Sequence, residues 1–181
     1  MNMIRSLLAL GAVLAVVGCA PAVLRGTSET ASVPPPPRVP VLKPVDPCLL
    51  LKPDEAASVG LPAGRSNKLA DLRICDFDGT PEERRELTGA ITLDEGPGKG
   101  ADDLRPPPGA IESAITNENV AGFATTVFPQ DHQHCLIHID INTDENVTVQ
   151  TAFWGKGQAP EPVCDVARKM VKFIAPRLPK K

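Results

Sequence analysis

Residues 134–155, HCLIHIDINTDENVTVQTAFWG, alternate with a period of two. Cys135, Ile137, Ile139 and Ile141 fall on one face of an extended chain, and His134, Leu136, His138 and Asp140 on the other. The polar run NTDEN reverses the chain, after which Val147, Val149, Thr151 and Phe153 resume the apolar face. Such a pattern predicts an antiparallel hairpin with one buried and one wetter side. A sheet with one apolar face needs a covering layer, and the chain supplies one directly downstream. In PVCDVARKMVKFIAPRL (162–178), Cys164, Ala167, Met170, Val171 and Ile174 form a single helical stripe.

Upstream the same two periods recur. LRICDFDG (72–79) places Cys75 and Phe77 on one face, and ELTGAITLDEG (86–96) does so with Leu87, Ile91 and Leu93. VAGFATTVFP (120–129) reads as a further strand ended by Pro129, and GAIESAIT (109–116) offers Ile111, Ala114 and Ile115 at helical spacing. DPCLLLKPDEAASVG (46–60) opens with Asp46 as a cap and Pro47 in a first-turn position. Pro53 starts a second short helix that Gly60 stops. TPEE at 80–83 has the spacing of a capping box, and 96–109 reads as an exposed loop rich in glycine, proline and acid. The expected architecture is α+β: an antiparallel sheet of four to six strands with helices packed on one face.

The N-terminus carries a different message. MNMIR is basic, the apolar run Leu7–Val17 is shorter than the roughly 20 residues a membrane span requires, and Val16-Val17-Gly18-Cys19 ends it. This layout looks like a lipoprotein signal, so 1–18 is expected to be removed and the Cys19 thiol to carry a diacylglyceryl group. Two acyl chains anchor stably where one does not, each buried methylene contributing about 0.8 kcal/mol. Residues 19–45 contain seven prolines and no apolar periodicity, as a semi-rigid tether would. Residues 46–181 are then a single extracytoplasmic domain on the outer side of the cell membrane.

Four cysteines remain beyond Cys19, namely Cys48, Cys75, Cys135 and Cys164, and none forms a C-x-x-C pair. An even count outside the cytoplasm points to two disulfides rather than a metal site. The local pairs, Cys48 with Cys75 and Cys135 with Cys164, each join a helix-like segment to a strand-like one and are expected. The crossed pairing, Cys48 with Cys164 and Cys75 with Cys135, stays open.

Composition narrows the function. The chain has a formal charge of −3, and losing Arg5 and the cationic tether leaves the domain more acidic. A surface of that sign disfavours nucleic acid, whose binding depends on neutralised phosphates. The cluster Arg168, Lys169, Lys172, Arg177, Lys180 and Lys181 belongs to the last helix and its end, where cations complement the helix dipole. No nucleophile elbow, H-E-x-x-H or phosphate loop occurs, so no enzyme activity and no cofactor are expected. His132 and His134 lie two apart, but His138 sits about 13 Å beyond His134 on a straight strand, so no metal site is expected either. If Ile141 faces Val147 across the turn, His134 stands opposite Trp154 on the wetter face. That pair is the candidate contact for a ligand or partner.

The signal ending in Gly18-Cys19, the proline-containing tether, DPCLLLKPDEAASVG, and the cysteines of RICDF, HCLIHID and PVCDVARKM together carry a resemblance. The chain resembles the actinobacterial lipoproteins grouped as domain of unknown function 3558. Lys52 stands where such proteins often have a threonine or serine cap, and Phe77 where tryptophan is common. The layout is also similar, more loosely, to extracellular sensor domains of actinobacterial membrane kinases. The resemblance implies an anchored extracytoplasmic domain of unassigned activity and supplies no catalytic residues. The expected role is a non-catalytic module that captures an unknown small molecule or cell-envelope protein. A regulatory protein docking on the external domain of a membrane sensor is the alternative, and a hydrolase with an unrecognised site comes third.

Overall fold

The sheet that these alternations build has seven strands, not four to six, in the order β1-β2-β3-β7-β6-β5-β4, with every neighbouring pair antiparallel. A computed structural model describes residues 41–79, 86–96 and 106–180. The signal, Cys19, most of the tether, the TPEE segment and most of the 96–109 loop lie outside the described residues. The strands are β1 (Arg65–Leu69), β2 (Leu72–Phe77), β3 (Leu87–Glu95), β4 (Thr116–Val120), β5 (Phe123–Pro129), β6 (His134–Asn142) and β7 (Glu145–Phe153). Helix α1 spans Pro53–Ser58 and α2 spans Val163–Ile174. Among the described residues, no helix is long and apolar enough to cross a membrane.

The two additional strands are the sheet's edges. β1 is exposed along its whole length, and β4 buries none of its five residues fully, so neither shows an apolar alternation. Each is joined to its neighbour by a two-residue turn that begins with alanine. Ala70 has φ 53° and Ala121 has φ 54°, followed in the second case by Gly122 at 94°. Tight hairpin turns favour asparagine or glycine at such positions, because a Cβ is crowded in the left-handed region. The stretch expected as one strand from Val120 to Pro129 is therefore the tip of β4, a turn and β5. Ala121→Asn is expected to raise the unfolding free energy by about 0.5–1 kcal/mol in urea titration, since asparagine tolerates this conformation better. The helix expected over 111–115 is a single 3-10 turn, Glu112–Ala114, which exposes Ile111 and leads straight into β4.

One sheet face is the core. Cys75, Phe77, Ile91, Leu93, Val127, Cys135, Ile137, Ile139, Val147, Val149 and Phe153 point into it, and all are buried. Across from them α2 lays Val163, Val166, Ala167, Met170, Val171 and Ile174, each buried. Burying each valine, leucine, isoleucine, phenylalanine or methionine among them stabilises the fold by about 1.5–3 kcal/mol. The disulfides join Cys48 to Cys75 and Cys135 to Cys164, the local pairing. One fastens the N-terminal turn Pro47–Leu49 to β2, and the other fastens the start of α2 to the start of β6.

Ion pairs take up much of the basic cluster at the end of the chain. Arg168 reaches Glu118 on β4 at 2.9 Å, and Lys169 reaches Glu161 at 2.6 Å. Arg177 makes two hydrogen bonds to Glu55 of α1, at 2.7 and 2.6 Å. This clamp, led by the guanidinium hydrogen bonds, lowers the Glu55 pKa to about 2. The cations therefore brace the helices against each other and against the sheet edge.

Candidate functional site

The hairpin of β6 and β7 sets the geometry of the candidate residues, and its register differs from the expected one. Ile139, not Ile141, pairs with Val147, and His134 pairs with Ala152. The turn is tight: Asn142 Oδ1 accepts the amide of Asp144 at 2.8 Å, and the register shifts between Asp140 and Asn142. A slip of two residues keeps every side chain on its expected face, whereas a slip of one would reverse them. His134 and Trp154 consequently still share the wetter face. Their rings meet edge-on, with centroids 5.1 Å apart and planes at 76°.

Trp154 is the chain's one tryptophan, and it is 67% exposed. It is nonetheless fixed. Its backbone amide donates to the Glu86 carbonyl at 2.7 Å, and its indole Nε1–H donates to Thr88 Oγ1 at 3.2 Å. A Cβ on the following residue, Gly155, would lie 2.4 Å from the Phe153 ring and 2.7 Å from a Glu86 carboxylate oxygen. Only glycine lets the chain turn away at that point, which leaves the indole standing clear at the end of β7.

His134 is held from the other side. Its Nδ1 lies 3.0 Å from both carboxylate oxygens of Asp131, so Nδ1 carries the proton and Nε2 is the acceptor of the neutral ring. Asp131 also accepts the Gln133 amide at 2.6 Å. Partial burial raises the Asp131 pKa, but the hydrogen bonds from His134 and Gln133 outweigh it and keep the carboxyl below its usual range. Asp131 further lines a cleft of about 470 Å³, together with His132, Gln158, Ala159, Pro160, Pro162, Val163 and Cys164. The carboxylate thus connects the cleft to the aromatic pair. Sequence reasoning missed Asp131, Thr88 and the cleft; the one available sign was the D-x-x-H spacing of 131 and 134.

His138 takes a different part. It is half-buried, packs edge-on against Phe128 at 5.3 Å, and shares a 3.1 Å hydrogen bond between Nδ1 and Thr148 Oγ1. Burial pushes its pKa down, opposed by a hydrogen bond with Asn146 and by the Asp94 charge. Above about pH 6.5 the ring is neutral in the folded and unfolded chains alike. As pH falls below that value the unfolded chain takes up a proton that the fold resists, so stability declines until the folded pKa is passed. Chemical denaturation between pH 8 and 5 should show this decline, and His138→Gln should flatten it. Among the described residues, no group of three or more His, Cys, Asp or Glu side chains is placed to hold a metal ion.

No curated protein and no solved structure matches this chain. A family described as protein of unknown function, DUF3558, has a sequence profile that matches residues 14–177. That span covers the whole described sheet, both disulfides and the His134–Trp154 pair, and the chain belongs to that family.

Proposed function

We propose that this protein is a lipid-anchored module on the outer face of the cell membrane that binds a ligand or partner and catalyses nothing. Cys19, the lipidation site of this reading, holds it to the bilayer through the proline-rich segment. The surface formed by Trp154, His134 and Asp131 makes the contact. One observation carries the binding role: a solitary tryptophan two-thirds exposed to water yet immobilised by Thr88, Glu86 and His134. A large apolar surface kept rigid and exposed is poised for contact, because little conformational entropy remains to be lost on binding.

The adjoining cleft supports capture of a small molecule or a short segment over docking on the flat face of a membrane sensor. Its volume of about 470 Å³ lies within the range of small-ligand sites, and its lining mixes Asp131, His132 and Gln158 with apolar groups. Two buried disulfide-forming strand cysteines, Cys75 and Cys135, suit an oxidising location.

Native mass spectrometry of the detergent-extracted protein tests the binding role. A bound mass seen with the native chain and lost in Trp154→Ala supports it. A bound mass that is unaffected by Trp154→Ala, or no bound mass at all, contradicts it.

A further inference from the structure

The packed structure begins before Asp46. Leu42 is fully buried, and Val45 packs against the same core. What holds this short segment is polar and comes from both sides. The buried Glu145 carboxylate, at the start of β7, accepts the backbone amides of Val41 at 3.0 Å and Leu42 at 2.8 Å. Asn142 donates to the same carboxylate. The Arg73 guanidinium, on β2, donates to the carbonyl of Leu42 at 2.7 Å and to that of Val45. Glu95, at the end of β3, pairs with Arg73. A further bond from the Val45 amide to the Leu42 carbonyl, at 2.8 Å, closes the segment on itself.

We infer that residues 41–45 are a clasped strap, a fixed junction between the fold and the chain that precedes it, closed by Glu145 and held by Arg73. Glu145 is only 3% exposed, and a carboxylate so placed is tolerable because three donors meet it. Four strands contribute to the clasp, Asn142 standing at the end of β6, so it forms only once β2, β3, β7 and β6 are side by side. Its location gives it a use. Glu145 opens the nine-residue β7 and Trp154 follows its other end, about 26 Å away at 3.3 Å per residue. The preceding chain therefore joins the fold at the end of the sheet opposite the candidate binding surface. A pull on that chain meets the charge-assisted hydrogen bonds and the buried Leu42 side chain together. The strap rests on its own geometry and stands whether or not Cys19 is lipidated.

Residue-resolved amide hydrogen exchange on the full lipidated chain in detergent tests the strap. The Val41 and Leu42 amides should exchange about 100-fold or more slowly than those of an unstructured peptide of the same sequence. In Glu145→Gln, which loses the charge that strengthens both bonds, their protection should fall about tenfold while Val147 and Val149 stay protected. Free exchange at Val41 and Leu42 in the native chain overturns the inference, as does unchanged protection there in a folded Glu145→Gln. Should Glu145→Gln also expose Val147 and Val149, the half-exposed Arg73 decides the matter. Arg73→Gln should loosen the Leu42 amide with those two intact, and an unchanged Leu42 in that variant overturns the inference.

Discussion

Replacing Cys135 and Cys164 together by alanine is expected to lower the unfolding free energy by about 3–4 kcal/mol, the chain-entropy value for a loop of this size. The bond spans 29 residues of sequence and ties the first turn of α2 to the first residues of β6. It shares this corner with a second fastening, the 2.8 Å bond from the buried Thr151 hydroxyl to the Val163 carbonyl. Loss of the disulfide enlarges the unfolded ensemble and leaves α2 dependent on its apolar stripe, on Thr151 and on Arg168. In a domain of this length the midpoint of thermal unfolding should fall by on the order of 10 °C. A double variant that melts with the native chain would contradict this, showing that the disulfide adds nothing to the stability of the fold.

Phe77→Ala should be comparably damaging, at about 3–5 kcal/mol. The ring is fully buried at the end of β2, on the core face. Gly64 passes so close that a Cβ there would lie 2.5 Å from Cys75 Sγ and 2.7 Å from the Phe77 ring. The segment leading into β1 therefore rests directly on Phe77 and on the Cys48–Cys75 bond. Removing the ring opens a cavity between β2 and the segment that carries Gly64. Urea titration should show the midpoint falling with an unchanged slope. A loss below about 1 kcal/mol would mean that the surroundings close over the gap, and would contradict this packing.

The parts of the fold that were readable in the sequence are those in which burial imposes a period. β2, β3, β6, β7 and α2 each set apolar residues against a polar face, so spacing alone marks them. β1 and β4 border the sheet; RSNKL is exposed throughout, and TNENV half-buries only Glu118 and Val120, too little to impose an apolar alternation. Their turns are hidden as well, because Ala70 and Ala121 occupy positions where glycine or asparagine would have signalled a hairpin. The register of the β6–β7 hairpin was not readable for a related reason. A slip of two residues preserves the apolar face, and the choice falls to Asn142, Asp144 and Glu145 in the turn.

The candidate site was legible only at its aromatic members. His134 and Trp154 share a face under either register, so their proximity survives the slip. Asp131 lies in a loop between strands, where no periodicity applies, and Thr88 comes from 66 residues away in sequence. The strap was invisible for a similar reason. VLKPV reads as the tail of a proline-rich spacer, and nothing local announces that Glu145, 103 residues beyond Leu42, closes over it.

The central proposal is that a glycerolipid on one sulfur holds an oxidised, folded body outside the membrane. Intact-mass spectrometry of the protein extracted from membranes, before and after thiol alkylation without reduction, addresses both halves at once. The account predicts a chain beginning at Cys19 with a diacylglyceryl adduct, in which Cys48, Cys75, Cys135 and Cys164 take up no alkylating reagent. A chain beginning at Met1, with an unmodified Cys19 and all the other thiols alkylated, would contradict it.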